Sequence, residues 1–469
     1  MNEETHSTSN TPRWGRCMRG RWVMVAAAVV LLTTGCGDDD RRAPRDAGAG
    51  VDAATDTGSP ATDAGADASP FDATPTPDAG PPKGMPVVAW LESVSDVNQV
   101  YLRRWNGTAW EELGGSASGG GISDGVNSAS YVDVAVGSAG DPVVVWIDNE
   151  PSASAAVYVR RWTGSTWEEL DGSATGGGIS NPVRVDTDRP QSPTIAVGAG
   201  DNIVVAWNHP VFTTEGACCV EQMFYLRRWN GTVWEELDGS ATGPGIAGVT
   251  YGLHPDVGIG PDGHPVVAWN QSGGGACVIL LLRWTGSSWE QLAGSAGGNG
   301  VLPRASGGPP SLALDSLGNP TVARQLSDAS YASARRWDGM AWQDIGSPSS
   351  DGSCGGRAPT LIVDSSDAPI LARRDRDATL DLRRWNGMGW TVLRSPPAMA
   401  PSGGLGLAAE PGERFVFTWS ARLSDGDFEV YVVRWNGSEY EELAGSGTGG
   451  GLSDTMVGDS MAPHIAAVR

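Results

Sequence analysis

The sequence predicts an all-β fold, a seven-bladed β-propeller of four-stranded antiparallel blades, closed by the C-terminal strand in the first blade. Three observations carry this. One pattern recurs seven times after residue 85, each copy holds four short β-type segments, and the two ends of the repeat region are complementary fragments of one copy.

The period comes first. An R-W-x-G-x-x-W element, or a close variant, places its first tryptophan at Trp105, Trp162, Trp229, Trp284, Trp337, Trp385 and Trp435, a mean spacing of about 55 residues. That is the scale of a propeller blade. The four segments come next. The second copy supplies P-V-V-V-W (Pro142 to Trp146), V-Y-V-R-R-W (Val157 to Trp162), W-E-E-L (Trp167 to Leu170) and, after a glycine-rich stretch, P-T-I-A-V-G (Pro193 to Gly198). In blade order the last of these is strand 1, and the others are strands 2, 3 and 4. They are β-branched or alternating, and turn residues separate them. Asn-Gly at Asn106, Asn230, Asn386 and Asn436 predicts a tight 3-4 hairpin, because both residues accept positive φ. A two-residue turn opposes Arg104 to Ala109. A four-residue loop opposes Arg104 to Glu111 and Arg103 to Glu112. The sequence leaves both registers open.

The ends close the argument. The first copy starts at strand 2 (Pro86 to Trp90), and the chain finishes on an unattached strand 1, Ala462 to Val468. Docking the second beside the first completes seven sheets and removes an open edge that invites aggregation.

Ahead of the repeats lies a different kind of sequence. Arg19 and Arg21 precede an apolar run, Trp22 to Leu32, too short to span a bilayer stably. Thr33, Thr34, Gly35 and Cys36 follow. Residues 1–35 therefore read as a signal peptide with a start at Met18. An ordinary signal with another cleavage site is the alternative to acylation at Cys36. Residues 36–84 form an Asp/Ala/Pro/Thr/Gly tether, with ten aspartates against three arginines and Lys83 after the cysteine. Such a composition buries too little apolar surface to offset its ordering entropy. Residues 85–469 are the propeller.

Formal net charge is −23, which argues against nucleic acid as a partner. Of the 20 tryptophans, 13 occupy the strand 3/4 elements, where Tyr440 stands in once. Repetition at one blade position points to packing between blades. Five more end strand 2: Trp90, Trp146, Trp207, Trp269 and Trp419. Blades five and six put Arg324 and Arg373 there instead, with Arg374 adjacent. These eight residues are the ligand-binding candidates, placed near the channel on the face of the long 2-3 and 4-1 loops, where variable loops on a rigid scaffold favour recognition. The arginines suit a carboxylate or anionic sugar, unless Asp375, Asp377 and Asp381 simply neutralise a divergent blade. Cys218, Cys219, Cys277 and Cys354 map to the same face. Cys219–Cys277 is the favoured disulfide, a vicinal Cys218–Cys219 bridge its rival, and Cys354 pairs with what remains. No catalytic constellation stands out, no cofactor is expected, and His209, His254, His264 and His464 lack metal-ligand spacing.

The Cys36 region, with small residues before the cysteine, resembles the lipobox of bacterial lipoproteins, whose cysteine is acylated and becomes the mature N-terminus. The blade pattern P-x-I-A-V, P-V-V-A-W, V-Y-V-R-R-W-N-G, T-x-W-E-E-L-G-G resembles bacterial and fungal propeller lectins, and more distantly kelch and sialidase-type propellers. That resemblance covers residues 85–469 and rests on scaffold motifs. It implies a non-enzymatic, monomeric outer-membrane lipoprotein, facing periplasm or cell surface, that binds glycan or an envelope protein. The alternatives are an enzyme acting on extracellular polysaccharide and a structural envelope scaffold.

Overall fold

The computed structural model describes residues 84–149, 155–180, 189–212, 220–246, 252–273, 276–305, 307–326, 332–346, 359–374, 380–393, 403–423, 426–453 and 459–467. The chain divides into Met1–Thr74 and Pro75–Arg469, and every described residue belongs to the second unit. The signal, Cys36 and most of the tether lie outside the described residues.

Seven antiparallel sheets make a seven-bladed propeller with almost no helix; a single 3-10 turn, Ala199–Asp201, is described. In blade 2 the strands run from inside outward as Ser128–Val136, Pro142–Asn149, Ala156–Trp162 and Trp167–Glu169. The other blades repeat this order. Blade 4 departs by one extra short strand, Leu302–Ala305, which pairs with its third strand. In blade 1 the innermost strand is Ser460–Ala467, antiparallel to Pro86–Val94, with Val87 opposite Ala466 and Glu92 opposite Ser460. The ring is thus shut by the last strand of the chain.

The core is a set of seven apolar clusters, each between two neighbouring blades. The strand-2 tryptophans fill five of these seams. Trp146 packs with Val87, Ala89 and Leu102 of blade 1, and Trp90 with Val416 and Val432 of blade 7. Each blade's sequence therefore encodes half of two seams, which is why one blade cannot bury its own apolar face.

Strands 3 and 4 carry the polar links. The hairpin between them has a four-residue loop: Arg104 pairs with Glu111 and Trp105 with Trp110. Of the two registers left open by the sequence, this is the four-residue one. Asn106 works through its side chain, whose Oδ1 accepts the Thr108 and Ala109 N–H groups at 3.0 and 2.9 Å. Only Gly107 takes a positive φ, 102°. Thr163 and Asp338 cap the loops of blades 2 and 5 in the same way. The position thus selects a short oxygen-bearing side chain.

The Arg-Arg pair divides its work. The second arginine bonds the glutamate across the hairpin, as in Arg104–Glu111 at 2.7 Å, Arg161–Glu168 at 2.6 Å and the Arg228–Glu235 pair. These pairs are partly exposed, so each contributes well under about 1 kcal/mol. The first arginine turns to the preceding blade. Arg103 donates to the Leu452 carbonyl at 2.8 Å, rather than reaching Glu112, and Arg160 donates to Ile122 at 2.6 Å.

A second inter-blade link is nearly complete. The strand-4 indole N–H donates to the carbonyl at the end of strand 4 in the preceding blade, at 2.7–3.0 Å. Trp110 makes this bond to Leu443 across the ring closure. Blade 7 has Tyr440 instead, and its buried hydroxyl finds no partner among the described residues. Tyr440→Trp is expected to add the missing bond and stabilise the fold by about 0.5–1.5 kcal/mol, read as a higher midpoint in urea.

Candidate functional site

The central channel is lined by strand 1 of the blades and, at one end, by the first residues of the 1-2 turns. Two cavities share it. The one toward the 1-2 turns holds about 550 Å³ and is walled by residues such as Val136, Val197, Ile259 and Leu314. The other opens on the 2-3/4-1 face, holds about 780 Å³ and is bounded by the starts of the strands. Ile195, Leu312, Leu361, Leu407 and Ile465 line both and form an apolar waist.

Above the waist the mouth is polar. Its side chains include Tyr131, Asp133, Ser192, His254, Asp256, Thr360 and His464. A repeated irregularity puts them there. The pairing of strands 1 and 2 slips at a bulge before Asp133, Thr194, Asp256 and Pro310, and again between Met461 and His464. The extra residue sits in the left-handed region at Tyr131 (φ 52°), Ser192 (48°), His254 (49°) and Ala462 (51°). Bulges of this kind re-aim side chains beside functional sites.

Two residues further on, the side chains tie one blade to the next. Asp133 Oδ2 accepts the Ile195 N–H at 3.0 Å, and Asp256 Oδ2 accepts that of Leu312 at 2.7 Å. Ser311 Oγ accepts the Leu361 N–H at 3.0 Å, and Thr360 donates to the Leu405 carbonyl at 3.2 Å. His464, on the closing strand, lies 3.0 Å from Asp133 Oδ1 through its Nδ1. Asp133 also receives the Val134 N–H on Oδ1, so both of its oxygens are engaged.

These groups are reached by water through the mouth yet enclosed by protein around the ring. Enclosure pushes the Asp256 carboxyl up to about 7, against the pull of the Leu312 N–H; the Asp133 charge adds to the rise, while the Val257 N–H and His464 oppose it. For His464 burial acts downward, but the bond to Asp133 and the charges of Asp133 and Asp256 hold its pKa above the usual histidine value. Burial lowers that of His254, whose Nδ1 lies 3.1 Å from Ser192 Oγ. Among the described residues no three His, Cys, Asp or Glu side chains are grouped to hold a metal ion.

The sequence-based candidates fall elsewhere. Trp90, Trp146, Trp207, Trp269 and Trp419 are at most 2% exposed and sit in the seams, not at the channel. Strand 2 is the second layer from the axis, so its end turns into the neighbouring blade. Arg324 and Arg373 are equally buried, at 0% and 1%. Arg324 donates to the Cys277 carbonyl of blade 4 at 3.1 Å. Arg373 and Arg383 both pair with Asp381, at 3.0 and 2.9 Å, so Asp381 offsets part of the charge of the basic spot. The Arg374 side chain lies outside the described residues, as do Asp375 and Asp377. So do Cys218, Cys219 and Cys354, and with them the proposed bridges; Cys277 is half-buried with a free thiol. The mouth residues were missed, although the sequence marks them. Thr194, Asp256, Ser311, Thr360 and His464 each follow a proline and precede the apolar run of strand 1.

No family model matches the chain, and no curated protein does. Solved structures that overlay on it include a fucose-specific lectin from Aleuria aurantia, at 12% identity over 67% of this chain and 94% of the lectin, with a TM-score of 0.43. A Trypanosoma rangeli sialidase in complex with the inhibitor DANA overlays at 11% identity, covering 70% and 56%, TM-score 0.41. An α-L-arabinanase of Penicillium chrysogenum complexed with arabinobiose does so at 15%, covering 65% and 92%, TM-score 0.40. Overlays this loose add nothing to what the sheet topology establishes: the chain is similar to these proteins in being a propeller.

Proposed function

We propose that this chain is an exported lipoprotein, acylated at Cys36, whose propeller binds a ligand, glycan or protein, at the axial mouth on its 2-3/4-1 face. One observation carries the binding half: a cavity of about 780 Å³ combining an apolar waist with convergent polar side chains. Pockets of this size and mixed lining are the usual form of ligand sites. Export and anchoring rest on the charged, apolar and small-residue run that ends at Cys36. The entry of the chain supports the arrangement. Gly84 packs beside Glu410, Pro411 and Arg414, at the 1-2 turn of blade 7, on the face opposite the mouth.

Binding of the purified full chain to arrays of glycans, envelope polymers and envelope proteins tests the reading. Wild type is expected to retain a ligand that Ser192→Trp, which fills the mouth, loses without a change in thermal midpoint. Binding that survives the filled mouth overturns it. In the same cells, Cys36→Ser is expected to abolish labelling by radioactive palmitate and to move the protein out of the membrane fraction; unchanged labelling overturns the anchoring half.

A further inference from the structure

The mouth has an unusual charge inventory. Among the described residues its lining holds two aspartates and two histidines but no lysine or arginine. His464 is already paired with Asp133, whose two oxygens also accept the Val134 and Ile195 N–H groups. His254, with Ser192 beside it, has its pKa lowered by burial. Asp256 is different. Its carboxyl takes the Leu312 N–H on Oδ2 and a further bond from the Val257 N–H, and among the described residues it has no ion-pair partner: Asp133 and His464 act on it through charge alone, from blades 2 and 1, and His254 lies on its own strand. Of the two described carboxyls of the mouth, Asp256 is the one that lacks a charged partner within hydrogen-bond distance. The chain as a whole is strongly acidic, which raises the local concentration of cations and disfavours anions.

We propose that the mouth takes a primary alkylammonium group, such as a lysine side chain, with Asp256 as its counter-ion and the apolar waist against its stem. This rests on the reading of the mouth as the binding site and names the chemistry of its ligand. A four-carbon stem ending in an ammonium suits a cavity with apolar walls below and a carboxyl at its rim. The proton balance is explicit. Where Asp256 holds a proton, the arriving ammonium keeps its three protons, the carboxyl gives up its one to solvent, and an ion pair forms. Binding therefore strengthens as pH rises through about 7 and releases a proton below that point.

The test uses the full chain and a matched pair of probes, Nα-acetyl-lysine amide and its Nε-acetylated form, titrated by calorimetry and by the imidazole resonances of His464. The charged probe is expected to bind at least about tenfold more tightly than the acetylated one. Its affinity is expected to rise several-fold from about pH 6 to about pH 8, with proton release seen as a dependence on buffer ionisation heat. Asp256→Asn keeps an oxygen to accept the Leu312 N–H, so it is expected to fold, and to lose both the preference for charge and the pH dependence. Glucosamine binding more tightly than the lysine probe, with the same loss in Asp256→Asn, supports the ammonium chemistry and assigns it to an amino sugar. Equal affinity for the two lysine probes, binding of neither, or a charge preference that persists in Asp256→Asn overturns the proposal. A neutral ligand that Ser192→Trp excludes and Asp256→Asn retains sinks the ammonium chemistry alone; a ligand indifferent to Ser192→Trp sinks the mouth as a site.

Discussion

Deletion of residues 460–469 is expected to abolish cooperative folding of the propeller. Ser460–Ala467 form the innermost strand of blade 1, held in the sheet by its pairing with Pro86–Val94. Their removal strips Pro86–Val94 of its inner neighbour and exposes a strand edge, the template for aggregation. It also leaves Glu92, which is 1% exposed, without the Ser460 hydroxyl at 2.6 Å, and Asp133 without His464. The apolar seams to blades 7 and 2 lose Ile465 and Ala466. Together these losses rival the whole stability of a typical domain, about 5–15 kcal/mol. Far-UV circular dichroism during thermal melting and size-exclusion chromatography read the result. A truncated chain that stays monomeric and melts within a few degrees of wild type would show that the ring does not depend on its latch. Addition of a synthetic peptide spanning 459–469 is expected to restore the transition, because a strand that binds only the folded ring draws the equilibrium toward it.

The second large effect concerns a seam tryptophan. Trp146→Ala removes a side chain that is 1% exposed and packed against blade 1. The loss of transfer free energy and the cavity left behind cost about 3–5 kcal/mol. Urea denaturation measures it, and the midpoint is expected to fall sharply while the slope stays constant. The same measurement separates two roles for the strand-2 tryptophans. A ligand platform, once truncated, loses binding and leaves stability nearly unchanged. A seam residue does the reverse, so a stable Trp146→Ala protein that no longer binds its ligand would return these residues to the surface.

How much was legible from residues alone follows from what repeats. Blade number, strand order and closure were readable because the apolar alternation and the R-W-x-G-x-x-W element recur at a fixed period, and because the two end fragments complement one another. The hairpin register was not. Asn-Gly looks the same whether asparagine supplies a positive φ or a capping oxygen, and only Thr163, Thr285 and Asp338 at the same position reveal the second. The five strand-2 tryptophans were misplaced because alternation tells which side chains share a sheet face, not which neighbour covers that face. The mouth was hidden for another reason. Asp133, Asp256 and His464 are separated by more than 100 residues in pairs; the two aspartates each accept a backbone N–H of the next blade, and His464 meets Asp133 across the ring closure. Only the closing of the ring brings them round one axis.

The placement of Gly84 has a mechanical consequence. Any pull delivered through that residue, against a ligand gripped at the far mouth, runs lengthwise down Pro86–Val94. That strand is flanked on both sides along its length by antiparallel partners, and its hydrogen bonds lie across the line of tension. They must then give way in shear, many at once, instead of peeling open one after another. The load-bearing element is also the one that receives the latch, so tension and ring integrity are resisted by the same sheet.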